Sequence, residues 1–171
     1  TLYNTYGFFA LYANVDGWHF AEEEVPVAER PEMDRWILSS LNSLVRDVEQ
    51  CYEDYEPTRA GRLIQNFVVD NVSNWFVRLS KKRFWGGEMT IDKLSAYQTL
   101  YTCLETVARL MAPIAPYYAD RLYRDLHEGR GEAEVRSVHL AKFPVADTSI
   151  IDVEQEERMA LAQQVTSMIH S

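Results

Sequence analysis

Basic and aromatic side chains are interleaved at the end of one long predicted helix. Residues 78–85 read Arg-Leu-Ser-Lys-Lys-Arg-Phe-Trp. Lysine and arginine neutralise phosphates, and an exposed Phe84 or Trp85 can stack on an unpaired base. The segment is therefore typical of a surface that binds a nucleic acid. A helix C-terminus whose cations stabilise the helix dipole has the same composition, so both interpretations stay open.

The distribution of charge supports nucleic-acid binding more than the net charge does. The chain contains 17 basic and 26 acidic residues, a formal net charge of −9. Residues 57–85 contain six basic residues and one acidic residue, a local charge of +5, and the remainder therefore carries −14. A basic segment can attract a polyanion while the acidic remainder prevents indiscriminate binding.

The candidate contact residues lie on this helix and at the start of the preceding one. They are Arg59, Arg62, Asn66, Ser73, Arg78, Lys81, Lys82, Arg83 and Trp85, with Arg35 and Trp36 as further candidates. Asn66, Asp70 and Ser73 fall on one side of an α-helix, at steps of four and three residues. Asp70 and Trp75 are predicted to belong to a structural network, in which the carboxylate of Asp70 holds a guanidinium in place.

No group of residues in the sequence is typical of catalysis. Gly-rich phosphate loops and serine nucleophile elbows are absent. The histidines, His19, His127, His139 and His170, are scattered without neighbouring cysteines or regularly spaced carboxylates. We therefore expect no catalytic residue, no metal site and no cofactor in this chain.

Two cysteines, Cys51 and Cys103, occupy apolar positions of helical patterns. A disulfide framework requires more cysteines at loop positions, so a reducing compartment, the cytoplasm, is predicted. The longest apolar run is far shorter than the roughly 20 residues that cross a bilayer, so no membrane partner is expected.

Helical periodicity of apolar residues predicts an all-α antiparallel bundle of about five to six helices. The helices are predicted at about residues 2–13, 31–55, 57–84 and 92–111, with a fifth that continues beyond the bend at Pro113 and Pro116 to about residue 127, and a last one at 153–170. Residues 137–140 form the one short strand-like segment, and residues 129–134 a polar loop. A single domain is expected, with an N-terminal helix and linker (1–30), a bundle core (31–128), and a loop, short strand and C-terminal helix (129–171). Because the chain starts and stops within helical patterns, it is expected to be a fragment of a larger protein.

Four segments, in the same order, resemble the anticodon-binding domain of class I isoleucyl-tRNA synthetases. Residues 67–78, Phe-Val-Val-Asp-Asn-Val-Ser-Asn-Trp-Phe-Val-Arg, followed by Lys-Arg-Phe-Trp at 82–85, look like the signature helix of that domain. Residues 31–42, Pro-Glu-Met-Asp-Arg-Trp-Ile-Leu-Ser-Ser-Leu-Asn, are similar to the start of the preceding helix. Residues 110–117, Leu-Met-Ala-Pro-Ile-Ala-Pro-Tyr, and 137–140, Ser-Val-His-Leu, resemble two markers further along the chain.

The resemblance implies a parent enzyme that uses ATP and magnesium to attach isoleucine to its tRNA. The fragment would bind the anticodon stem-loop through its basic helix, and it would position the tRNA without taking part in the chemistry. Its partners would be the isoleucine-accepting tRNA, and the catalytic body and C-terminal region of the same parent chain. The ATP-handling signatures of the family, His-Ile-Gly-His and Lys-Met-Ser-Lys-Ser, do not occur in this chain.

Two alternatives stay open at the level of sequence. The domain is shared with valyl, leucyl and methionyl enzymes, although Tyr-Ala-Asn-Val-Asp-Gly at 12–17 looks more isoleucyl than valyl. The second alternative is a helical scaffold that docks onto protein partners. In that case the aromatic first helix, with Phe8 and Phe9, is expected to expose an apolar patch.

Overall fold

The computed structural model describes residues 1–20, 23–128 and 137–170, and within these ranges every regular element is helical. The α-helices are α1 Leu2–Asp16, α2 Glu32–Glu53, α3 Pro57–Asn66, α4 Arg78–Phe84, α5 Ile91–Met111, α6 Pro116–Leu126 and α7 Val153–His170. A π-helical segment, Phe67–Val77, joins α3 to α4, and short 3₁₀ turns occupy Val27–Glu29, Val138–Leu140 and Thr148–Ile150. The prediction of an all-α bundle is confirmed.

Helices α2 and α5 form the centre of the bundle. On α2 the apolar residues Ile37, Leu41, Leu44, Val48 and Cys51 recur at steps of three and four and are buried, as the helical pattern predicts. On α5 most residues are buried around the whole circumference, because neighbouring helices pack on every side. Helix α2 connects to α3 through residues 54–56, and such a short connection makes the two helices antiparallel neighbours.

The predicted helix at residues 57–84 exists, but its central part is not an α-helix. The backbone remains helical at both junctions of the π segment, with φ and ψ of −61° and −44° at Asn66 and −59° and −44° at Arg78. The buried residues of the segment recur at steps of four and five; they are Phe67, Val68, Val72, Phe76 and Val77. This spacing is expected for a π-helix, in which hydrogen bonds join residues i and i+5. The buried side of the segment therefore repeats with a period longer than the 3.6 residues of an α-helix.

The prediction of a strand at residues 137–140 is wrong. The side chain of Asp120, on α6, accepts hydrogen bonds from the Ser137 hydroxyl (2.6 Å) and from the backbone N–H of Val138 (2.9 Å). The chain then closes a 3₁₀ turn at Val138–Leu140, since its polar groups are satisfied locally and no strand lies beside it in the described ranges. The loop predicted at residues 129–134 lies outside the described residues.

Helix α7 crosses α2 and the π segment. Glu156 accepts hydrogen bonds from the hydroxyls of Ser39 and Ser43 on α2. Further along α7, the side-chain amide of Gln163 donates to the side-chain oxygen of Asn71 at 3.2 Å. These contacts place α7 along one side of the π segment. None of the helices in the described ranges is long and apolar enough to cross a membrane.

Candidate nucleic-acid interface

Three cations occupy one exposed side of α4. Arg78, Lys81 and Lys82 lie at positions i, i+3 and i+4, which are neighbours on a helix surface, and all three are exposed. No carboxylate within the described residues forms an ion pair with any of them. We call these three residues the cationic face. Trp85 follows at the end of α4, and its side chain is 58% exposed.

Most other cations of the described chain are neutralised by a neighbouring carboxylate. Pairs within single helices include Arg46 with Asp47, Arg109 with Glu105, Arg121 with Asp125 and Arg124 with Asp120, at 2.7 to 2.9 Å. Arg35, Arg62 and Lys142 are exposed and without an ion pair in the described ranges, but they lie on separate elements. The cationic face is therefore where unpaired positive charge is concentrated.

Arg83 does not belong to this face, contrary to the sequence-based prediction. Its guanidinium donates to both carboxylate oxygens of Asp34, at 2.5 and 2.9 Å, and its Nε donates to Asp92 at 3.0 Å. Burial alone would lower the pKa of Arg83, but the hydrogen bonds to Asp34 and Asp92 raise it above its ordinary value. With its donors committed to two carboxylates, Arg83 holds α4 against α2 and α5.

Trp36 does not lie on the surface, although the sequence predicted that it contacts RNA. Its side chain is 2% exposed and belongs to the hydrophobic core, so its ring cannot stack on a bound base. Its neighbour Arg35 is exposed. Because Asp34 is paired with Arg83, Arg35 lies at the same end of the bundle as Trp85.

The predicted contacts on α3 are exposed but separated from the cationic face by the π segment. Arg59 donates to Glu56 at 3.1 Å, an exposed pair that leaves little net charge. Arg62 and Asn66 are exposed on α3, one turn apart. The candidate residues before and after the π segment therefore do not form the single stripe that an uninterrupted α-helix would give.

The π geometry also divides the group Asn66, Asp70 and Ser73. Asn66 and Asp70 line a groove beside α7. Ser73 does not line that groove. The side chain of Ser73 is partly buried, whereas those of Asn66 and Asp70 are exposed.

Asp70 is not the structural carboxylate that the sequence suggested. Its side chain is exposed, and no ion pair or hydrogen bond to it occurs within the described residues. Trp75 is partly buried and packs against the core. The buried carboxylate of the bundle is instead Asp34, at 0% exposure, which also accepts hydrogen bonds from the hydroxyls of Ser95 (2.5 Å) and Thr99 (3.3 Å).

A second buried network ties the end of α1 to the start of α5. The Lys93 ammonium lies 2.7 Å from the Asp16 carboxylate and also donates to the carbonyl oxygen of Gly86, just after α4. The Tyr97 hydroxyl donates to the same carboxylate. Sequence reasoning missed both networks, because an isolated Asp or Lys in an amphipathic pattern gives no sign that it is buried. In the described ranges no group of three or more His, Cys, Asp or Glu side chains is arranged to hold a metal ion.

Comparison with known proteins gives a match to one family. The model of the family described as the anticodon-binding domain of tRNA ligases matches residues 34–171, which is most of the chain. The match includes most of α2, the π segment and the cationic face, as well as the residues of α5 that bond to Asp34 and Asp16.

Full-length relatives with one shared name cover the whole chain. The isoleucine–tRNA ligase of Bacteroides thetaiotaomicron is 68% identical over 99% of the chain, and that of Cytophaga hutchinsonii is 63% identical over 100%. The isoleucine–tRNA ligase of Clostridium novyi is 40% identical over 98%. The chain spans only 14% to 16% of the length of these relatives.

Proposed function

Because the chain belongs to the family of anticodon-binding domains of tRNA ligases, we propose that it binds the anticodon stem-loop of a tRNA through the cationic face of α4. The observation that carries the proposal is the position of Arg78, Lys81 and Lys82, three exposed and unpaired cations within one turn of helix. Trp85 extends this surface with an exposed indole.

The binding mechanism is electrostatic and does not include bond chemistry. Each phosphate that the cationic face neutralises releases condensed counterions, which favours binding at low salt. The acidic remainder of the chain repels RNA elsewhere, so the tRNA backbone is directed to one side of the bundle. Arg35 and Arg62 are exposed and can extend the contact on either side. Holding the stem-loop in a fixed position would orient the far end of the tRNA for reaction.

The parent protein, in this proposal, is an isoleucine–tRNA ligase that attaches isoleucine to its tRNA in the cytoplasm. This is supported by the names of the relatives and by their identity of up to 68% over nearly the whole chain. The resemblance assigns ATP, magnesium and the catalytic body to parts of the enzyme outside this chain. The partners of the domain would be the isoleucine-accepting tRNA and those other parts of the same chain. A valyl enzyme is the alternative that charging assays with the full-length protein would reveal.

One observation favours docking to a protein surface as a second role. Tyr3, Leu11 and Val15 are exposed on α1 at 72%, 59% and 75%, and with Gly7 they are spaced four residues apart along one side. Phe9, in contrast, is 5% exposed, and Phe8 packs against Phe84, so these two do not form the exposed patch that the sequence suggested. The docking alternative therefore concerns the side of α1 that Tyr3 and Leu11 share.

A salt series tests the proposed function. We would measure fluorescence anisotropy of an isoleucine tRNA with the 171-residue chain and with the double variant Arg78→Glu/Lys81→Glu. A matched control, Arg46→Glu/Arg121→Glu, changes the net charge equally but alters only cations that are already paired on other helices.

We expect binding by the wild type to weaken steeply as the salt concentration rises. In a plot of the logarithm of the association constant against the logarithm of the salt concentration, the cationic-face variant should give a slope that is shallower by about 1.5, because two phosphate contacts are lost. The control should keep most of the slope. If the two double variants bind with equal affinity and equal slope, α4 is not the phosphate-binding surface.

A further inference from the structure

A groove of about 480 Å³ lies between the π segment and α7. On one side it is lined by Asp70, Asn74 and Trp75, and on the other by α7 residues that include Gln164 and Ser167. Its volume falls in the range of about 300 to 1,000 Å³ that is usual for small-molecule sites. π-Helical segments are rare, and those found within α-helices are frequently at functional sites.

The groove presents polar side chains that make no hydrogen bond to the residues that the structure describes. Gln163 is committed to Asn71 at 3.2 Å, and the Thr166 hydroxyl donates to the carbonyl oxygen of Ala162 at 2.8 Å. These two contacts stabilise the walls. Within the described residues no hydrogen bond is made by the remaining polar side chains of the groove. They are Asp70, Asn74, Gln164 and Ser167.

Trp75 provides a flat apolar surface in the same groove. It is partly buried and packs against the core, which fixes the indole. Among the described residues no aromatic ring is paired with it, whereas the rings of Phe9, Trp18 and Tyr97 are paired with one another. A fixed indole beside amide and hydroxyl groups is the combination by which proteins bind unstacked bases.

The charges of the groove decide which part of an RNA it accepts. No lysine or arginine lines it, and Asp70 contributes a carboxylate, so a phosphate would be repelled. A carboxylate accepts hydrogen bonds from an exocyclic amino group, as it does from N4 of cytosine. The lining therefore favours a base with an amino group over uracil, which offers only a carbonyl oxygen at that position.

The groove adjoins the cationic face. Asn74, Arg78 and Lys82 follow one another at steps of four residues, and Arg78 and Lys82 are exposed like Asn74. An RNA strand whose phosphates lie on the cationic face would thus bring a neighbouring nucleotide to the groove. The phosphate contacts would give affinity, and the groove would read one base.

We propose that this groove binds a single unstacked nucleobase that carries an exocyclic amino group, with Trp75 stacking on the base and Asp70 accepting from the amino group. The proposal rests on the proposed function, since it assumes that RNA lies along α4. It adds a base-reading site, formed by the π segment and α7, to the phosphate-binding surface.

The test compares two single-stranded probes, heptacytidylate and heptauridylate, labelled with fluorescein and titrated with the 171-residue chain. Both probes are pyrimidines, and they differ at the group that Asp70 would recognise. We expect the wild type to bind heptacytidylate about tenfold more tightly, within the range measured for a specific base contact. Asp70→Asn should abolish this preference, because an amide can both donate and accept.

Two further variants distinguish the groove from the cationic face. Trp75→Leu should weaken binding of both probes by roughly five- to a hundredfold, as expected for a lost stacking contact, without changing the salt slope. Arg78→Glu/Lys81→Glu should make the dependence of binding on salt shallower, while the ratio of the affinities for the two probes is retained. Asp70 is exposed, so Asp70→Asn tests the groove even if Trp75→Leu unfolds the chain.

Equal binding of the two probes by the wild type, or a preference that survives in Asp70→Asn, would overturn the base-reading site. An affinity of the wild type that does not change with salt concentration would instead overturn the proposed function. The two failures are therefore separate results of one set of titrations.

Discussion

The guanidinium of Arg83 is paired with the buried carboxylate of Asp34 through two hydrogen bonds, at 2.5 and 2.9 Å. This pairing removes one cation from a run of basic residues and uses it to fix the last turn of α4 against the first turn of α2. The other cations of the run, Arg78, Lys81 and Lys82, stay exposed. One short basic sequence thus has two roles, a structural anchor and a free charged surface.

We expect Asp34→Ala to destabilise the chain by about 3 kcal/mol, because it leaves a largely buried guanidinium without its main partner. Urea unfolding followed by circular dichroism would measure the change. Asp92→Ala is the control, since this second partner of Arg83 is 52% exposed and its removal should cost less than about 1 kcal/mol. Equal costs for the two variants would show that the Asp34 pair does not anchor α4.

The two tryptophans of the predicted binding set should behave in opposite ways. Trp36→Ala leaves a cavity in the core and should lower the free energy of unfolding by about 3 to 5 kcal/mol. Trp85→Ala alters an exposed side chain and should change stability by no more than about 0.5 kcal/mol. Thermal or urea unfolding checks both values.

Trp85→Ala is expected instead to weaken tRNA binding, by roughly five- to a hundredfold if the indole stacks on a base. Anisotropy titrations with the same tRNA used for the salt series would measure this loss. An unchanged affinity in Trp85→Ala would exclude Trp85 from the interface, although the cationic face could still bind phosphates.

The sequence predicted the helices well because their apolar periodicity is strong. The spacing of apolar residues predicted both the buried side of α2 and the extent of the helical segment from Pro57 to Phe84. What the pattern could not reveal was the π segment, since a few buried positions at steps of four and five do not distinguish its period from the 3.6 residues of an α-helix. That change of period moved Ser73 away from Asp70.

The candidate site was predicted by residue type but not by burial. The basic run indicated a surface with exposed cations. By residue type, however, Arg83 and Trp36 cannot be told apart from their exposed neighbours, although both are largely buried. Their burial depends on Asp34 and on the packing of α2 against α5, which are contacts between residues distant in sequence. The exposure of Asp70 was missed for the same reason, because an acid in a mid-helix position can be either a buried partner or an exposed group.

The Asp16 carboxylate should make the stability of the chain depend on pH in the acid range. Burial alone would raise its pKa, but hydrogen bonds from Lys93 and Tyr97 lower the pKa below the ordinary value of 3.8. A carboxyl with a lowered folded-state pKa stabilises the fold above its ordinary pKa, and this contribution is lost as the pH falls through the lowered value.

We therefore expect Asp16→Asn to be less stable than the wild type at pH 7, and the difference to shrink as the pH falls below about 4. Urea unfolding at pH 7, 5, 4 and 3 would measure the difference. Asp47→Asn is a suitable comparison, because its carboxylate is exposed and forms a surface ion pair with Arg46. A difference between Asp16→Asn and the wild type that stays constant down to pH 3 would contradict the assignment.

Two glycines of the N-terminal region should respond to alanine with opposite signs. Gly7 lies in the middle of α1 with no atom within 4 Å of an added Cβ, so Gly7→Ala gains helix propensity and should stabilise the chain by about 0.5 to 1 kcal/mol. Gly17 ends the same helix at φ +64°, where its N–H bonds back to Asn14, and Gly17→Ala should cost about 1 kcal/mol or more. Because the two sites share no contacts, the double variant should show the sum of the two effects. A destabilising Gly7→Ala would mean that this side of α1 is covered in solution, which would support its use as a docking surface.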